Sequence, residues 1–183
     1  MAVGSPSRVI STSCEHNPVN DSKGRLSWRQ WRDPEVVLVC GLGSGFAPQA
    51  PGTFGSLAAV LIWWFALGHA SLPVQLVAIV VAIGLGTWLT ARVQARYGVS
   101  DPGAIVIDEF AGQWIALLLA PMTLWAMLVG FALFRLFDIW KPWPVGALEK
   151  GVPGAFGVMV DDLAAGALAL AVLQFTLLSF ENI

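Results

Sequence analysis

The chain has 183 residues, of which 56% are hydrophobic and only 12% charged, and its formal net charge is −2. Soluble domains carry about 25% charged residues. This composition, with a mean hydropathy of +0.70, therefore excludes an ordinary soluble protein and favours one domain with several membrane spans. Nucleic acid is excluded as a partner, because the basic residues form no patch interleaved with aromatic side chains.

The N-terminal stretch, residues 1–35, is polar and has no hydrophobic periodicity. It is predicted to be a largely disordered tail, followed by a membrane-embedded domain over residues 36–183. The tail lacks the basic, apolar and small-residue order of a cleaved signal peptide. Cys14 and Cys40 are too few to form a disulfide framework, and we expect both to be inert thiols.

A stretch rich in Gly, Pro and Ser leads into the first apolar segment. Its backbone N–H groups, with Gly52 and the hydroxyls of Thr53 and Ser56, are predicted to form an anion site at a helix start. The alternative is a loop that threads tightly along the membrane surface. No Lys follows the glycines, so the pattern is not a Walker loop.

Three long stretches, residues 36–90, 110–134 and 163–180, contain no Asp, Glu, Lys or Arg. From these stretches and their edges, five apolar segments are predicted to be membrane helices. They cover about residues 53–67, 74–95, 108–120, 123–140 and 158–180. Several are shorter than the roughly 20 residues that cross a bilayer squarely, and the third and fourth are also compatible with a re-entrant pair. The predicted fold is an all-α, polytopic membrane helical bundle of four to five short spans.

Basic residues occupy alternate connections between these segments. The tail carries five, and the connections after the second and fourth segments carry Arg92 with Arg96 and Lys141 with Lys150. The other two connections carry none. By the positive-inside rule the basic connections face the cytoplasm, and every acidic boundary lies on that same face.

Two acidic pairs stand where apolar segments begin, Asp108-Glu109 and Asp161-Asp162, and each is soon followed by Ala-Gly. A carboxylate is favoured at a helix N-terminus, but one suffices, and a second adds repulsion. Adjacent carboxylates beside hydrocarbon are readily stabilised by a divalent cation that prefers oxygen ligands, such as magnesium, calcium or manganese. Helix capping remains the alternative, and the shared pattern is too short to be a repeat.

Arg135, Asp138 and Lys141 recur at every third position and share one side of a helix end. Basic side chains opposite carboxylates suit a phosphate that is bound through a metal ion. The alternative is an Arg and a Lys that extend to the interface with Asp138 as their ion-pair partner. Neither the histidines nor the cysteines are placed for covalent phosphate transfer, so water attack assisted by a metal remains.

The tryptophans are expected to lie mainly at the membrane interfaces and in the packing between helices. Gln113 and Trp114, one turn into the third segment, are the exceptions that could line a cavity.

Four segments together resemble the phosphatidylglycerophosphatase A family: APGTFGS at 50–56, IVIDEFAGQW at 105–114, FRLFDIWKPWP at 134–144 and GVMVDDLAAG at 157–166. Their order and spacing agree with that family over about residues 36–180. The resemblance implies a bacterial inner-membrane enzyme that uses Mg²⁺ to hydrolyse phosphatidylglycerophosphate to phosphatidylglycerol and phosphate. Its partner would be this anionic phospholipid, in the cytoplasmic leaflet.

The roles of single residues are inferred from their chemistry and placement. The expected catalytic residues are Asp108, Asp162, Arg135 and Lys141. The expected phosphate-binding residues are Gly52, Thr53, Ser56, Arg135 and Lys141. The expected metal ligands are Glu109, Asp138, Asp161 and Asp162, with Asp108 as a further ligand or as the base that orients the attacking water.

The alternative function, of a different class, is that of a small cation transporter or channel subunit in which the same carboxylates line the path of the cation. Such a path requires polar groups near the middle of the bilayer. The charges here are confined to one face, which favours chemistry on a lipid headgroup. The sequence leaves the oligomeric state open.

Overall fold

The structure is a computed structural model that describes residue 26 and residues 28–98, 102–143, 145–151 and 155–181. All regular secondary structure within these residues is helical, which confirms the all-α prediction. The α-helices are α1 (Pro34–Val39), α2 (Pro51–Phe65), α3 (Leu72–Tyr97), α4 (Ile107–Ala116), α5 (Leu124–Trp140), α6 (Val145–Gly151) and α7 (Ala155–Glu181). Short 3-10 turns cover Trp28–Gln30, Gly41–Phe46, Leu67–His69 and Pro102–Ala104.

Among the described residues, three helical segments are long and apolar enough to cross a membrane: Pro51–His69, Leu72–Tyr97 and Ala155–Ser179. Helix α5 has 17 residues and α4 has 10. At 1.5 Å per residue they are about 25 Å and about 15 Å long, less than the roughly 30 Å of a hydrocarbon core. The count of four to five spans therefore stays a prediction.

Helices α4 and α5 form a hairpin whose turn lies at the same end of the bundle as the turn between α2 and α3. Met122, in the α4–α5 turn, lies directly beside Gly68 of the other turn. Trp63 and Leu117 are fully buried in the core between them. The acidic start of α4 consequently lies at the opposite end of the bundle. Asp161-Asp162 packs there too, but α7 begins at Ala155, so this pair lies in its second turn and does not open the helix as the sequence predicted.

Helices α4 and α7 cross in backbone contact at Gly112 and Gly166. A Cβ added to Gly166 would lie 3.0 Å from the carbonyl carbon of Gly112 and 3.1 Å from its Cα. One added to Gly112 would lie 2.6 Å from the carbonyl oxygen of Asp162. Further along, Gln174 Nε2 donates to the Leu118 carbonyl at 3.2 Å, so the two helices run in the same direction. Backbone contact of this kind is available only to glycine.

The folded region begins before residue 36. Most of the predicted tail, residues 1–35, lies outside the described residues, but its last part holds the turn Trp28–Gln30 and the start of α1. Asp33 Oδ2 accepts hydrogen bonds from Arg96 Nη1 and from the Tyr97 hydroxyl, each at 2.7 Å. The Tyr97 hydroxyl, more than the neighbouring Arg96, holds the pKa of Asp33 below its ordinary value. These bonds tie α1 to the end of α3.

Cys40 follows α1 and is completely buried. Burial raises the pKa of its thiol to about 12, because the charged thiolate is disfavoured away from water. The thiol therefore stays protonated at neutral pH, in keeping with the inert role expected from the sequence. Cys14 lies outside the described residues.

We expect Gly166→Ala to destabilise the protein, since its Cβ meets rigid backbone of α4. Overpacking of this kind costs about 1–3 kcal/mol. Gly84→Ala is the matched control, because a Cβ at Gly84 on α3 would meet nothing within 4 Å. Thermal unfolding in detergent should show a lower Tm for Gly166→Ala and an unchanged or slightly higher one for Gly84→Ala. Equal Tm values would contradict the close crossing.

Candidate active site

Three carboxylates meet where α4 begins against α7. Asp108 and Glu109 occupy the first turn of α4, and Asp162 lies on α7. One oxygen atom from each lies within 4.8 Å of the others. Asp108 stands one turn before Gly112, and Asp162 one turn before Gly166, so the glycine crossing places both carboxylates on facing helix surfaces.

These carboxylates are poorly hydrated. The side chains of Asp108 and Asp162 are only 6% and 4% exposed, and the atoms Glu109 Oε2 and Asp162 Oδ2 are buried without a hydrogen-bond partner. Like charges at such distances, away from water, repel strongly unless a cation joins them. This all-oxygen donor set fits a hard divalent cation such as Mg²⁺, Mn²⁺ or Ca²⁺.

Two further carboxylates border this group, and each forms an ion pair with a basic side chain. Asp138 lies close enough to Asp162 for their charges to interact, and its Oδ2 is 2.7 Å from Arg135 Nη1. Asp161 Oδ2 accepts a hydrogen bond of 2.8 Å from Lys141 Nζ. The structure thus places both predicted ligands, Asp138 and Asp161, in ion pairs beside the group of three.

Arg135 faces the start of α2. A Cβ added to Gly52 would lie 3.1 Å and 3.2 Å from the two terminal guanidinium nitrogens, and it would also collide with Glu109 Oε1. Arg135 Nη1 lies 3.4 Å from Ser56 Oγ, which donates to the Gly52 carbonyl at 2.8 Å. The positive end of the α2 dipole therefore joins a guanidinium at the edge of the carboxylate group, an arrangement that suits an anion.

The remaining predicted phosphate-binding residues are less central. Thr53 is half-buried in the first turn of α2 beside Gly52. Lys141 ends α5 in a left-handed conformation, with φ of 48°, and reaches Asp161. Upstream, a Cβ on Gly45 would collide with the Ala104 carbonyl oxygen, so this part of the glycine-rich stretch packs tightly against the turn before α4.

The two residues considered as cavity lining behave differently. Trp114 Nε1 donates to the Ala59 carbonyl at 3.0 Å, and its ring stacks edge-on against Phe110, so it packs α4 against α2. Gln113 is fully buried, and neither atom of its amide has a hydrogen-bond partner.

The glycines of the crossing were not identified as site determinants from the sequence. The available signal was the Ala-Gly that follows each acidic pair, Ala111-Gly112 and Ala165-Gly166. Small residues at this spacing permit close helix approach in membranes, but the pattern does not reveal which helices meet.

Comparisons with known proteins agree on one family. A family model described as Phosphatidylglycerophosphatase A matches residues 37–177. A protein of that name from Escherichia coli (strain K12) is 39% identical over 163 residues, covering 87% of this chain and 90% of the relative. Its namesake from Haemophilus influenzae is 38% identical over 141 residues, 76% of this chain and 86% of the relative.

A relative from Bacteroides thetaiotaomicron carries a different, provisional description, as a phosphatidylinositol-3-phosphatase. It is 41% identical over 138 residues, which cover 72% of this chain and 86% of the relative. No solved structure matches the chain.

We expect Gly52→Ala to damage the site while sparing the fold. The three atoms nearest to its Cβ belong to the flexible ends of Glu109 and Arg135, which can move aside at small cost to packing but lose their arrangement. The Tm of the variant without metal should stay near that of the unsubstituted protein, whereas its stabilisation by Mn²⁺, which reports affinity, should fall. Full stabilisation by Mn²⁺ would contradict the placement of Gly52 against Glu109.

Proposed function

The chain belongs to the phosphatidylglycerophosphatase A family, and we propose that it hydrolyses the phosphomonoester of phosphatidylglycerophosphate to give phosphatidylglycerol and phosphate. The observation that carries the proposal is the group of three buried carboxylates, Asp108, Glu109 and Asp162, beside Arg135 at the start of α2. A divalent cation complements the charge of the carboxylates, and a phosphate complements the charge of Arg135.

The proposed cofactor is Mg²⁺, held by Glu109 and Asp162 with Asp108 as a further candidate. The unpartnered oxygens Glu109 Oε2 and Asp162 Oδ2 support this choice, because hard oxygen donors are the ligands that Mg²⁺ prefers. When bound, Mg²⁺ supplies positive charge to the phosphate and makes water a better nucleophile.

Arg135 is proposed to hold the phosphate oxygens. Its two terminal nitrogens form a planar fork that matches a phosphate, and the ion pair of 2.7 Å to Asp138 fixes the orientation of the fork. The N-terminus of α2, with Gly52 and Thr53, adds a favourable dipole. Lys141, paired with Asp161, contributes positive charge at the edge of the site.

In the proposed reaction a water oxygen attacks phosphorus, and the bond from phosphorus to the glycerol oxygen breaks. Asp108 accepts a proton from the water, and this proton passes to the departing glycerol oxygen, directly or through solvent, so that glycerol leaves as a hydroxyl and Asp108 is regenerated. Arg135 stabilises the charge that spreads over the phosphoryl oxygens during the transfer. Asp108 is oriented for this role by the Glu109 backbone N–H, which donates to its Oδ1 at 3.1 Å.

The location proposed for the enzyme is the bacterial inner membrane, with the site at the cytoplasmic face. The basic connections predicted to be cytoplasmic lie next to the acidic helix starts. The acyl chains of the substrate would stay in the bilayer while the headgroup reaches Arg135.

We expect Asp162→Asn to reduce phosphate release by about 100-fold or more without lowering Tm, because it removes one of several repelling charges. Release is measured in detergent from phosphatidylglycerophosphate, with Mg²⁺ and with EDTA. The control is Asp33→Asn, which loses the charge that pairs with Arg96 and weakens the hydrogen bond from Tyr97, outside the carboxylate group. It should lower Tm and leave turnover unchanged.

The same assay, run with phosphatidylinositol 3-phosphate and phosphatidic acid, separates the alternatives. Selective release from phosphatidylglycerophosphate supports the proposal, whereas preference for the inositol lipid would assign the substrate class named for the Bacteroides relative. Retained turnover of Asp162→Asn, or release in EDTA, would contradict the metal assignment. A folded protein that releases phosphate from none of these lipids would favour the cation transporter.

A further inference from the structure

Gln113 is a buried polar group whose hydrogen bonds are missing. Its side chain is fully buried, yet its amide nitrogen and amide oxygen both lack a partner. Buried amides are hydrogen-bonded in nearly all native structures, and an exception requires an explanation such as an absent ion, water or ligand.

The glutamines elsewhere in the bundle show the ordinary behaviour. Gln75 Nε2, at the far end of the bundle, donates to the Leu67 carbonyl at 3.2 Å and to the Ala70 carbonyl at 3.1 Å. Gln174 Nε2 donates to the Leu118 carbonyl. Packing alone therefore does not account for the unpaired amide of Gln113.

The position of Gln113 indicates where its amide is directed. It lies one turn after Glu109 on the same face of α4, and residues at this spacing are surface neighbours. Helical side chains lean toward the N-terminus, so the amide leans toward Glu109. Glu109 Oε2 is itself buried and unpartnered, so an unpaired donor and an unpaired acceptor lie one helical turn apart on the same face of α4.

We propose that Gln113 is a positioning residue for the Glu109 carboxylate. Its Nε2–H donates to Glu109 Oε2 when a divalent cation holds that carboxylate toward Asp108 and Asp162. The hydrogen bond fixes the orientation of the carboxylate, as outer hydrogen-bond partners commonly do for metal ligands. This inference rests on the cation site of the proposed function.

The test compares two isosteric substitutions, Gln113→Met and Gln75→Met, in the full chain in detergent. Mn²⁺ affinity is measured by electron paramagnetic resonance, and Tm without metal by thermal unfolding. Gln113→Met should weaken Mn²⁺ binding by about 10–100-fold, with Tm unchanged or higher because no hydrogen bond within the protein is lost. Gln75→Met should lower Tm, since it loses two hydrogen bonds, and should leave Mn²⁺ affinity unchanged.

A kinetic measurement adds a second readout. In Gln113→Met, the Mg²⁺ concentration for half-maximal phosphate release should rise by the same factor as the Mn²⁺ dissociation constant. A purely structural role would not move this value.

The outcomes separate the inference from the proposed function. If the unsubstituted protein binds Mn²⁺ and Gln113→Met binds it equally well, Gln113 does not position Glu109, and the proposed function stands. If the unsubstituted protein binds no Mn²⁺, the cation site and the inference both fail. Should Gln113→Met not fold, Gln113→Asn replaces it, because the shortened amide retracts from Glu109, and native affinity in that variant contradicts the inference.

Discussion

The backbone contact between Gly112 and Gly166 is the constraint on which the site depends. It brings the backbones of α4 and α7 into direct contact, and both helices run in the same direction. Asp108 and Asp162, each one turn before its glycine, therefore face each other, and Glu109 turns toward α2 and α5. A larger residue at the crossing would separate the carboxylates before it touched any of them.

The short distances between these carboxylates destabilise the protein when no ligand is bound, and the same distances favour binding of a divalent cation. Five carboxylates of the described residues gather around the start of α4, and two of them, Asp138 and Asp161, are neutralised by Arg135 and Lys141. The remaining three lie within 4.8 Å of one another, largely away from water. Their repulsion favours a divalent cation, which in the proposed function would attract a phosphate toward Arg135. Sites that hold like charges together in this way are typically functional.

Much of this could be predicted from the sequence, because ionised groups beside hydrocarbon are costly and few. The acidic pairs and Arg135 were predicted as site residues for that reason, Gly52 was predicted from the stretch rich in Gly, Pro and Ser, and the all-α fold was predicted from the charge-free apolar segments. The pairing of Lys141 with Asp161 could not be predicted, since it depends on how the end of α5 approaches α7. The helix crossing was also missed, because Ala-Gly patterns occur without specifying a partner helix.

The polar segment before residue 36 shows a further limit of composition. Asp33 and Glu35 resemble ordinary charges of a disordered tail, but in the structure they pair with Arg96 and Arg92 at the end of α3. These partners are distant in sequence, so no local pattern predicts the pairing.

The central claim is that the crossing of α4 and α7 builds a divalent cation site. The most direct measurement is anomalous diffraction from crystals grown with Mn²⁺. We expect a peak bounded by Asp108, Glu109 and Asp162, whereas a peak elsewhere, or none there at saturating Mn²⁺, would contradict the claim.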